Sequence, residues 1–173
     1  MNALPSLGFT EAIKTVAQRM NDFKGRSRRS EFWWWMLLIF LLKQVAGAFV
    51  TDAVASVFVD TICMLGALAV TVRRLHDVNR SGLWVYVSYA TGFVTLFLMA
   101  KSGYVDFILK MTQKGTFSNA KLEQFISSMP QWGVETFSIA SLVWMVTSLA
   151  VIGFCLMDSK PESNKYGKSP KYV

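Results

Sequence analysis

Cysteine and histidine are scarce in this sequence, which excludes a disulfide framework and the commonest metal sites. The chain of 173 residues has two cysteines and one histidine. Cys63 and Cys155 lie inside long apolar blocks, one near the middle of its block and one near the end, so their depths differ. We interpret both as small apolar residues and not as a disulfide. A zinc site needs several ligands, and we expect neither a metal nor a cofactor.

Charged residues are also scarce, and their distribution is uneven. They make up 17% of the chain, and apolar residues make up 53%, whereas about a quarter of the residues of soluble domains are charged. The basic residues flank the apolar blocks instead of covering one face of a soluble domain. The net charge of +7 therefore indicates contacts with membrane lipids and control of topology, and we do not expect nucleic acid as a partner.

Four apolar blocks are long enough to cross a membrane as helices, since a span needs about 20 mostly apolar residues. Their apolar residues run continuously and do not alternate, which favours helices over barrel strands. The first block follows a polar segment without the short apolar core of a cleavable signal peptide, so we expect it to stay in the membrane. We predict an all-α integral membrane protein, a four-helix bundle forming one membrane domain over residues 1–173. The predicted spans are residues 32–50, 54–72, 83–100 and 137–157.

The distribution of lysine and arginine predicts the side of the membrane on which each segment lies. Thirteen of the 18 basic residues lie before the first span, between the second and third spans, and in the tail of residues 158–173. Four lie on the opposite side, all in the loop of residues 101–136. Cytoplasmic segments are the richer in lysine and arginine. Both termini are therefore predicted to be cytoplasmic, and the 101–136 loop is predicted to lie outside.

Amphipathic segments lie between and before the spans. Residues 9–24 carry apolar side chains at spacings of three and four, which predicts a helix lying in the cytoplasmic interface. The 101–136 loop carries two further apolar stripes, one over residues 104–111 and one that follows a candidate cap at Ser118 or Asn119 and ends before Pro130. We predict two short helices in this loop, lying on the membrane or capping the bundle.

Two charged residues fall inside predicted spans, where a charge that faces lipid is costly. Lys43 and Asp60 lie at equal distances along the chain from the short turn at Thr51 and Asp52. The two helices of an antiparallel hairpin rise at the same rate, so both residues reach the same depth. We predict a Lys43–Asp60 ion pair. The alternative is that Lys43 extends outward to Asp52 or to the lipid headgroups.

Two cytoplasmic segments combine arginines with acidic, serine, glycine and aromatic residues. A topology signal needs positive charge alone, so these residues indicate a further role. The first reads Gly-Arg-Ser-Arg-Arg-Ser-Glu-Phe-Trp from Gly25, and the second reads Arg-Arg-Leu-His-Asp-Val-Asn-Arg-Ser-Gly from Arg73. By its position at the membrane boundary, Glu31 is expected to bind Arg73 or Arg74. A late segment reads Asn-Lys-Tyr-Gly-Lys-Ser-Pro from Asn164.

Together these motifs resemble the bacterial membrane family known as domain of unknown function 805 (DUF805). The resemblance extends over nearly the whole chain, and the Arg-Arg-Leu-His-Asp motif is its specific part. It implies a small multi-spanning protein of the bacterial inner membrane, and it implies no reaction.

Three interpretations of the cytoplasmic motifs stay open. In the first, a structural hydrogen-bonded cluster joins the cytoplasmic segments through Arg26, Glu31, His76, Asp77 and Ser81. In the second, an anion or lipid headgroup is bound by converging arginines, namely Arg28, Arg29, Arg73, Arg74 and Arg80. In the third, His76 and Asp77 are an acid–base pair, although adjacent helical side chains point about 100° apart and no nucleophile accompanies them.

These observations predict a membrane protein that binds or organises other membrane components. The expected partners are lipids with anionic headgroups, another membrane protein or a second copy of the chain. One alternative is a small transporter or channel component that uses Lys43 and Asp60, and another is an enzyme acting on lipid-linked substrates. Because no catalytic constellation stands out, we do not expect an enzyme.

Overall fold

The computed structural model describes residues 2–50, 52–103, 119–128 and 131–172, and their regular secondary structure is helical. The helices in these ranges are α1 (Phe9–Gln18), α2 (Arg29–Phe49), α3 (Ala53–Asp77), α4 (Leu83–Lys101), α5 (Asn119–Ser128) and α6 (Gln131–Leu156). The same ranges contain no strand, and extended pairing is limited to isolated bridges between Ala3 and Tyr172 and between Asn164 and Gly167. The described part of the chain is therefore all-α, as predicted.

Four helices are long and apolar enough to span a membrane: Arg29–Phe49, Ala55–Asp77, Leu83–Lys101 and Glu135–Leu156. They confirm the prediction of four spanning helices and indicate a multi-pass membrane protein. Helix α3 continues beyond the predicted span at residues 54–72 and ends at Asp77. Its last turns can carry charged residues since protein groups bind their side chains, as described below. The sidedness of the two termini stays a prediction.

The amphipathic segment before α2 forms a shorter helix than predicted. The prediction extends it to residue 24, but α1 ends at Gln18 and the chain then turns. The Asp22 carboxylate accepts hydrogen bonds from the Arg19 side chain at 2.9 and 3.0 Å and from the Lys24 N–H at 2.9 Å. Such local bonds offer the backbone an alternative to further helix. The Lys24 N–H holds the pKa of Asp22 below its usual range.

The chain forms two compact units, each of which is described by itself. The first unit, Met1–Val85 with Val151–Val173, contains α1 and the hairpin of α2 and α3. The Asp52 carboxylate caps α3 by accepting the Ala55 N–H at 2.9 Å. Along the hairpin, the Trp35 indole donates to the Gly66 carbonyl at 3.0 Å. Most of the buried residues of this unit lie in the second half of α3 and in the segments around its end.

The second unit, Tyr86–Ala150, contains most of α4 and α6. Hydroxyl groups join these helices, with Ser88 and Ser148 at 2.9 Å and Thr91 and Thr147 at 3.2 Å. Such polar contacts and small residues hold helices together in membranes. Helix α5 lies where the second of the two loop helices is predicted. The first, over residues 104–111, lies outside the described residues.

Candidate functional site

The last turns of α3 bury charged side chains that in most proteins stay exposed. Arg73, Arg74 and Asp77 are 0% exposed, and two further charged residues are nearly as buried. Arginine and aspartate are almost never fully buried unless they are paired. We call this set the buried polar cluster, and its members are Arg26, Ser27, Glu31, Arg73, Arg74, Asp77 and Ser159.

Asp77 is the acceptor at the centre of the buried polar cluster. One carboxylate oxygen accepts the Arg26 Nε–H at 2.9 Å, and the other accepts hydrogen bonds from Arg74 and from the Ser159 hydroxyl. These donors come from the segment before α2, from α3 and from the segment after α6. Hydrogen bonds of this charge-assisted kind are about twice as strong as neutral ones. One carboxylate therefore joins three segments that are distant in sequence.

Arg26 fixes the tail of the chain through backbone carbonyls. Its Nη1 donates to the carbonyl oxygens of Glu162 at 2.8 Å and of Gly167 at 3.3 Å. Its Nη2 donates to the carbonyls of Lys160 and Asp77. The fork of a guanidinium group matches several acceptors at once, which a lysine in its place does not. Arg26 thus has a structural role in wrapping the tail around the end of α3.

Arg74 caps the C-terminal end of α6. Its Nε donates to the Cys155 carbonyl at 3.2 Å, and its Nη2 donates to the Met157 carbonyl. The last carbonyls of a helix have no partner within that helix, and a basic side chain commonly binds them. Because Nη1 binds Asp77, all three nitrogens of Arg74 have protein partners.

Arg73 organises the turn after α1. Its Nη1 donates to the Arg19 carbonyl at 2.6 Å and to the Asp22 carbonyl. Its Nε and Nη2 are buried without a hydrogen-bond partner among the described residues. The sequence predicts that Glu31 binds one of the paired arginines, but the Glu31 carboxylate accepts a hydrogen bond from the Ser27 hydroxyl instead. Ser27 takes this position because its own N–H donates to the Arg73 carbonyl at 3.1 Å.

His76 lies at the edge of the cluster, between the turn before α2 and the tail. Its Nδ1 is 3.2 Å from the Gly25 carbonyl oxygen, which only accepts, so Nδ1 carries the proton. The ring stacks on Tyr166 with centroids 3.7 Å apart. The side chain of Asn164 donates to the His76 carbonyl at 2.9 Å. His76 and Asp77 therefore have separate partners, and no group of three potential metal ligands is found among the described residues.

Arg80 and Ser81 lie just before α4. The Ser81 hydroxyl oxygen accepts the Leu83 N–H at 3.3 Å, in the manner of an N-terminal cap. The Arg80 guanidinium lies 5.0 Å from the centre of the Phe154 ring, a cation–π contact. Trp84 packs edge-on against the same ring at 5.7 Å.

A cavity of about 230 Å³ lies at the start of α2. We call it the basic cavity; it is lined by Leu4, Pro5, Ser6, Arg28, Arg29, Ser30, Asp158 and Lys171. Its lining contains three cations and one carboxylate. Both oxygens of Asp158 accept the Lys171 ammonium at 2.7 Å. This contact holds the pKa of Asp158 below its usual range and raises the pKa of Lys171.

Two further features of the basic cavity favour an anion. Arg28 uses its Nη1 for one long hydrogen bond to the Pro5 carbonyl at 3.3 Å, and Arg29 is exposed. Arg28 is also the residue that precedes α2, and its side chain makes no capping hydrogen bond. The first N–H groups of a helix lack partners within it and carry partial positive charge. The cavity thus combines cationic side chains with the positive end of α2.

The structure divides the five arginines of the anion-binding prediction among three places. Arg73 and Arg74 belong to the buried polar cluster, where protein oxygens bind them. Arg28 and Arg29 line the basic cavity, and Arg80 lies on Phe154. Sequence spacing does not reveal this division, because it depends on which carbonyl oxygens the fold brings near each guanidinium group. The anion-binding candidates are therefore Arg28 and Arg29.

Lys43 and Asp60 meet within the hairpin of α2 and α3. The Lys43 Nζ lies 2.8 Å from the Asp60 Oδ1, and the two side chains are 49% and 59% exposed. The ion pair is the arrangement that equal spacing about the turn predicts. It lies in the parts of two candidate spans that are nearer the turn between α2 and α3, apart from the buried polar cluster at the far end of α3.

The part of the chain that holds the buried polar cluster also identifies its family. Residues 20–168 match the family model described as "Protein of unknown function (DUF805)". The chain belongs to the DUF805 family. The resemblance that the motifs indicate is thereby confirmed. Every charged member of the buried polar cluster, with Arg28 and Arg29 of the basic cavity, lies inside the matched range.

Two curated relatives of this DUF805 protein have names that state no activity. It is 38% identical over 77 residues to the "Uncharacterized protein YiiR" of Escherichia coli strain K12 and to that of Escherichia coli O157:H7. The match covers 42% of this chain and 53% of each relative. The chain thus spans about half the length of the curated relatives it matches. No solved structure matches it.

Sequence reasoning missed three residues of these sites, namely Asp158, Ser159 and Lys171. All three lie in the tail, where the sequence argument counts charge and assigns no contacts. The one available signal is the Asn-Lys-Tyr-Gly segment from Asn164, which closes on itself through backbone hydrogen bonds of 3.1 and 2.9 Å with Gly167. A tight turn there predicts a folded tail rather than an extended one.

Proposed function

We propose that this DUF805 protein binds the phosphate of an anionic lipid headgroup in the basic cavity and organises membrane components through that contact. The observation that carries the proposal is the cavity at the start of a candidate span, lined by Arg28, Arg29 and Lys171 against one carboxylate, Asp158. Arginine binds phosphate by two parallel charge-assisted hydrogen bonds. Lys171 already has a partner, so Arg28 and Arg29 are the side chains assigned to the phosphate.

The position of the basic cavity along α2 supports a lipid as the source of that phosphate. Arg29 begins the span, and Trp33 and Trp34 follow within the next two turns. Tryptophan is enriched at the level of the headgroups, where lipid phosphates lie. With both termini in the cytoplasm, as the charge distribution predicts, the cavity faces the leaflet that carries anionic lipids. The inner membrane of a bacterium is the proposed location.

The buried polar cluster supports this role as a scaffold. Asp77 ties the segment before α2 to Ser159, so the residues beside them, Arg28 and Asp158, are held next to each other. A binding site needs such pre-positioned side chains, since ordering them on binding reduces affinity. The proposal is therefore of a binding protein without a reaction of its own, with Arg73 and Arg74 as structural residues.

Native mass spectrometry of the purified protein tests the proposal. Protein extracted in mild detergent is mixed with equal amounts of phosphatidylglycerol and phosphatidylethanolamine. Wild type is compared with Arg28→Gln/Arg29→Gln and with the matched control Lys14→Gln/Lys24→Gln, which removes the same charge outside the cavity. We expect wild type and the control to retain phosphatidylglycerol preferentially. The cavity variant should retain at least about tenfold less, because a hydrogen bond to a charged group contributes about 1.5–3 kcal/mol.

One further measurement distinguishes a lipid headgroup from free phosphate as the source of the anion, and one outcome contradicts the proposal. Inorganic phosphate added as a competitor displaces the lipid only if the cavity binds phosphate irrespective of the lipid chains. Equal retention of phosphatidylglycerol by all three proteins, each shown to be folded by circular dichroism, contradicts the proposal.

A second candidate function, a small transporter or channel component, is favoured by the Lys43–Asp60 ion pair within the candidate spans. Ionisable residues at this depth commonly mark ion or proton pathways. A proton or cation flux into protein-containing vesicles that is lost in Asp60→Asn supports this function, and vesicles that stay as tight as protein-free vesicles contradict it.

A further inference from the structure

The ion pair of α2 and α3 is exposed inside two candidate spans, where a charge that faces lipid is costly. Lys43 and Asp60 are 49% and 59% exposed at a separation of 2.8 Å, and both lie inside candidate spans. Pairing uses one of the three ammonium donors and a fraction of the acceptor sites of the carboxylate. The neighbouring residues on the same faces are apolar and also exposed, such as Phe40 and Val57 at 56% and 61%. The outer surface of the hairpin therefore carries one positive and one negative charge, those of Lys43 and Asp60.

Hydrocarbon is an unsuitable cover for this surface. Intramembrane charges almost always face the protein interior or a water-filled space, because lipid cannot hydrogen-bond them. A cover that supplies one acceptor for Lys43 and one donor for Asp60, at the same depth, satisfies both groups. A cation and an anion side by side meet both requirements and also balance the two charges.

We propose that a second copy of this chain provides that cover, with the two ion pairs packed face to face. All copies of one sequence insert in the same orientation, so a two-fold axis that relates two copies lies along the membrane normal. This axis keeps equivalent residues at equal depth. It also reverses left and right between facing surfaces, so Lys43 of each copy lies opposite Asp60 of the other. The four charges alternate in sign and sum to zero.

A glycine beside the ion pair permits the close approach that this arrangement needs. Gly47 lies one turn from Lys43 on α2, and a Cβ added to it meets no atom within 4 Å. Small residues at such positions let the backbones of membrane helices come close together. The self-complementary charge pattern carries the proposal, and Gly47 supplies the space.

A charge exchange tests the proposal with a readout that an intramolecular ion pair does not affect. The variant Lys43→Asp/Asp60→Lys keeps the ion pair within each chain, and it keeps the alternating pattern between two copies of itself. Between one wild-type and one exchanged copy, like charges lie opposite each other, and like-charge contacts of this kind cost several kcal/mol.

Fluorescence energy transfer in vesicles of phosphatidylglycerol and phosphatidylethanolamine measures the association. Donor and acceptor dyes are attached at Asn2→Cys in a chain with Cys63→Ala and Cys155→Ala. We expect transfer for wild type with wild type and for exchanged with exchanged copies, and at least about tenfold weaker association for the mixed pair. Free mixing of the two forms overturns the proposal, and so does the absence of transfer between wild-type copies, which leaves a different membrane protein as the cover.

A second variant decides the matter if the exchanged chain fails to fold. Lys43→Met/Asp60→Leu removes both charges and leaves a surface that lipid covers readily. We expect this variant to fold and to associate at least about tenfold more weakly than wild type. Association as strong as that of wild type overturns the proposal.

Discussion

Replacing Asp77 by asparagine is expected to destabilise the protein strongly while changing side-chain size very little. The carboxylate accepts hydrogen bonds from Arg26 and Arg74, and all three side chains are at most 1% exposed. The substitution removes the only carboxylate with which these two guanidinium groups are paired among the described residues. Removing one partner of a buried ion pair costs about 3–5 kcal/mol. Since Asp77 serves two arginines, we expect a loss in the upper half of that range.

The matched control for this change is Asp158→Asn, which also removes one acidic group from the first unit. Asp158 is 52% exposed, and its one ion pair among the described residues is with Lys171. An exposed ion pair contributes no more than about 1 kcal/mol. The free energy of unfolding in mixed micelles of SDS and a mild detergent, followed by circular dichroism, measures both effects. A loss for Asp77→Asn that is no larger than the loss for Asp158→Asn refutes the reasoning, because it means that Asp77 is not the counter-charge of the buried arginines.

Two further predictions concern the tight packing and the tail of the first unit. Gly82→Ala is expected to lower the free energy of unfolding by about 1–3 kcal/mol, because its Cβ would lie 2.7 Å from the Val72 Cγ1. The control Gly153→Ala, whose Cβ meets no atom within 4 Å, should leave that free energy unchanged or slightly higher. Equal losses of stability in the two variants contradict this prediction. The lowered pKa of Asp158 means that its contact with Lys171 stabilises the tail above the ordinary aspartate pKa of about 3.9 and is lost only as the pH falls through the lower value. An NMR titration of the Asp158 carboxyl carbon checks this, and a midpoint at or above the ordinary value contradicts it.

The sequence predicts the membrane helices well because hydrocarbon imposes one simple requirement. A span needs sufficient length and apolar character, and both are visible without knowledge of the fold. The Lys43–Asp60 contact is predictable for a related reason, since a short turn and two helices of equal rise fix the depth of each residue. Within this hairpin, the relative depth of two residues therefore follows from their residue numbers alone.

The partners of the arginines are not predictable in this way. Arg26 and Arg74 bind backbone carbonyls of the tail and of the end of α6, and every residue of a chain offers such a carbonyl. By its position, Glu31 is the expected acidic partner of Arg73 or Arg74, yet its carboxylate accepts a hydrogen bond from the Ser27 hydroxyl. Charge patterns indicate which groups need partners, and only tertiary structure determines which polar groups supply them.

The end of α1 is another feature that the sequence pattern alone does not predict. The apolar stripe continues past Gln18 to Phe23, so the periodicity predicts a longer helix. The helix ends because Asp22 binds the Arg19 side chain and the Lys24 N–H, and because Arg73 binds the carbonyls of this turn. The second of these causes comes from a residue of α3, which the periodicity of α1 cannot reveal.

The most direct test of the central claim is a distance measurement between lipid phosphorus and arginine side chains in the membrane. Solid-state NMR of protein labelled with ¹³C in its arginine guanidinium carbons, in vesicles containing phosphatidylglycerol, detects dipolar dephasing by ³¹P. We expect dephasing in wild type that is lost in Arg28→Gln/Arg29→Gln and retained in Arg80→Gln. Dephasing that survives the loss of Arg28 and Arg29, or that never appears, would contradict a headgroup site in the basic cavity.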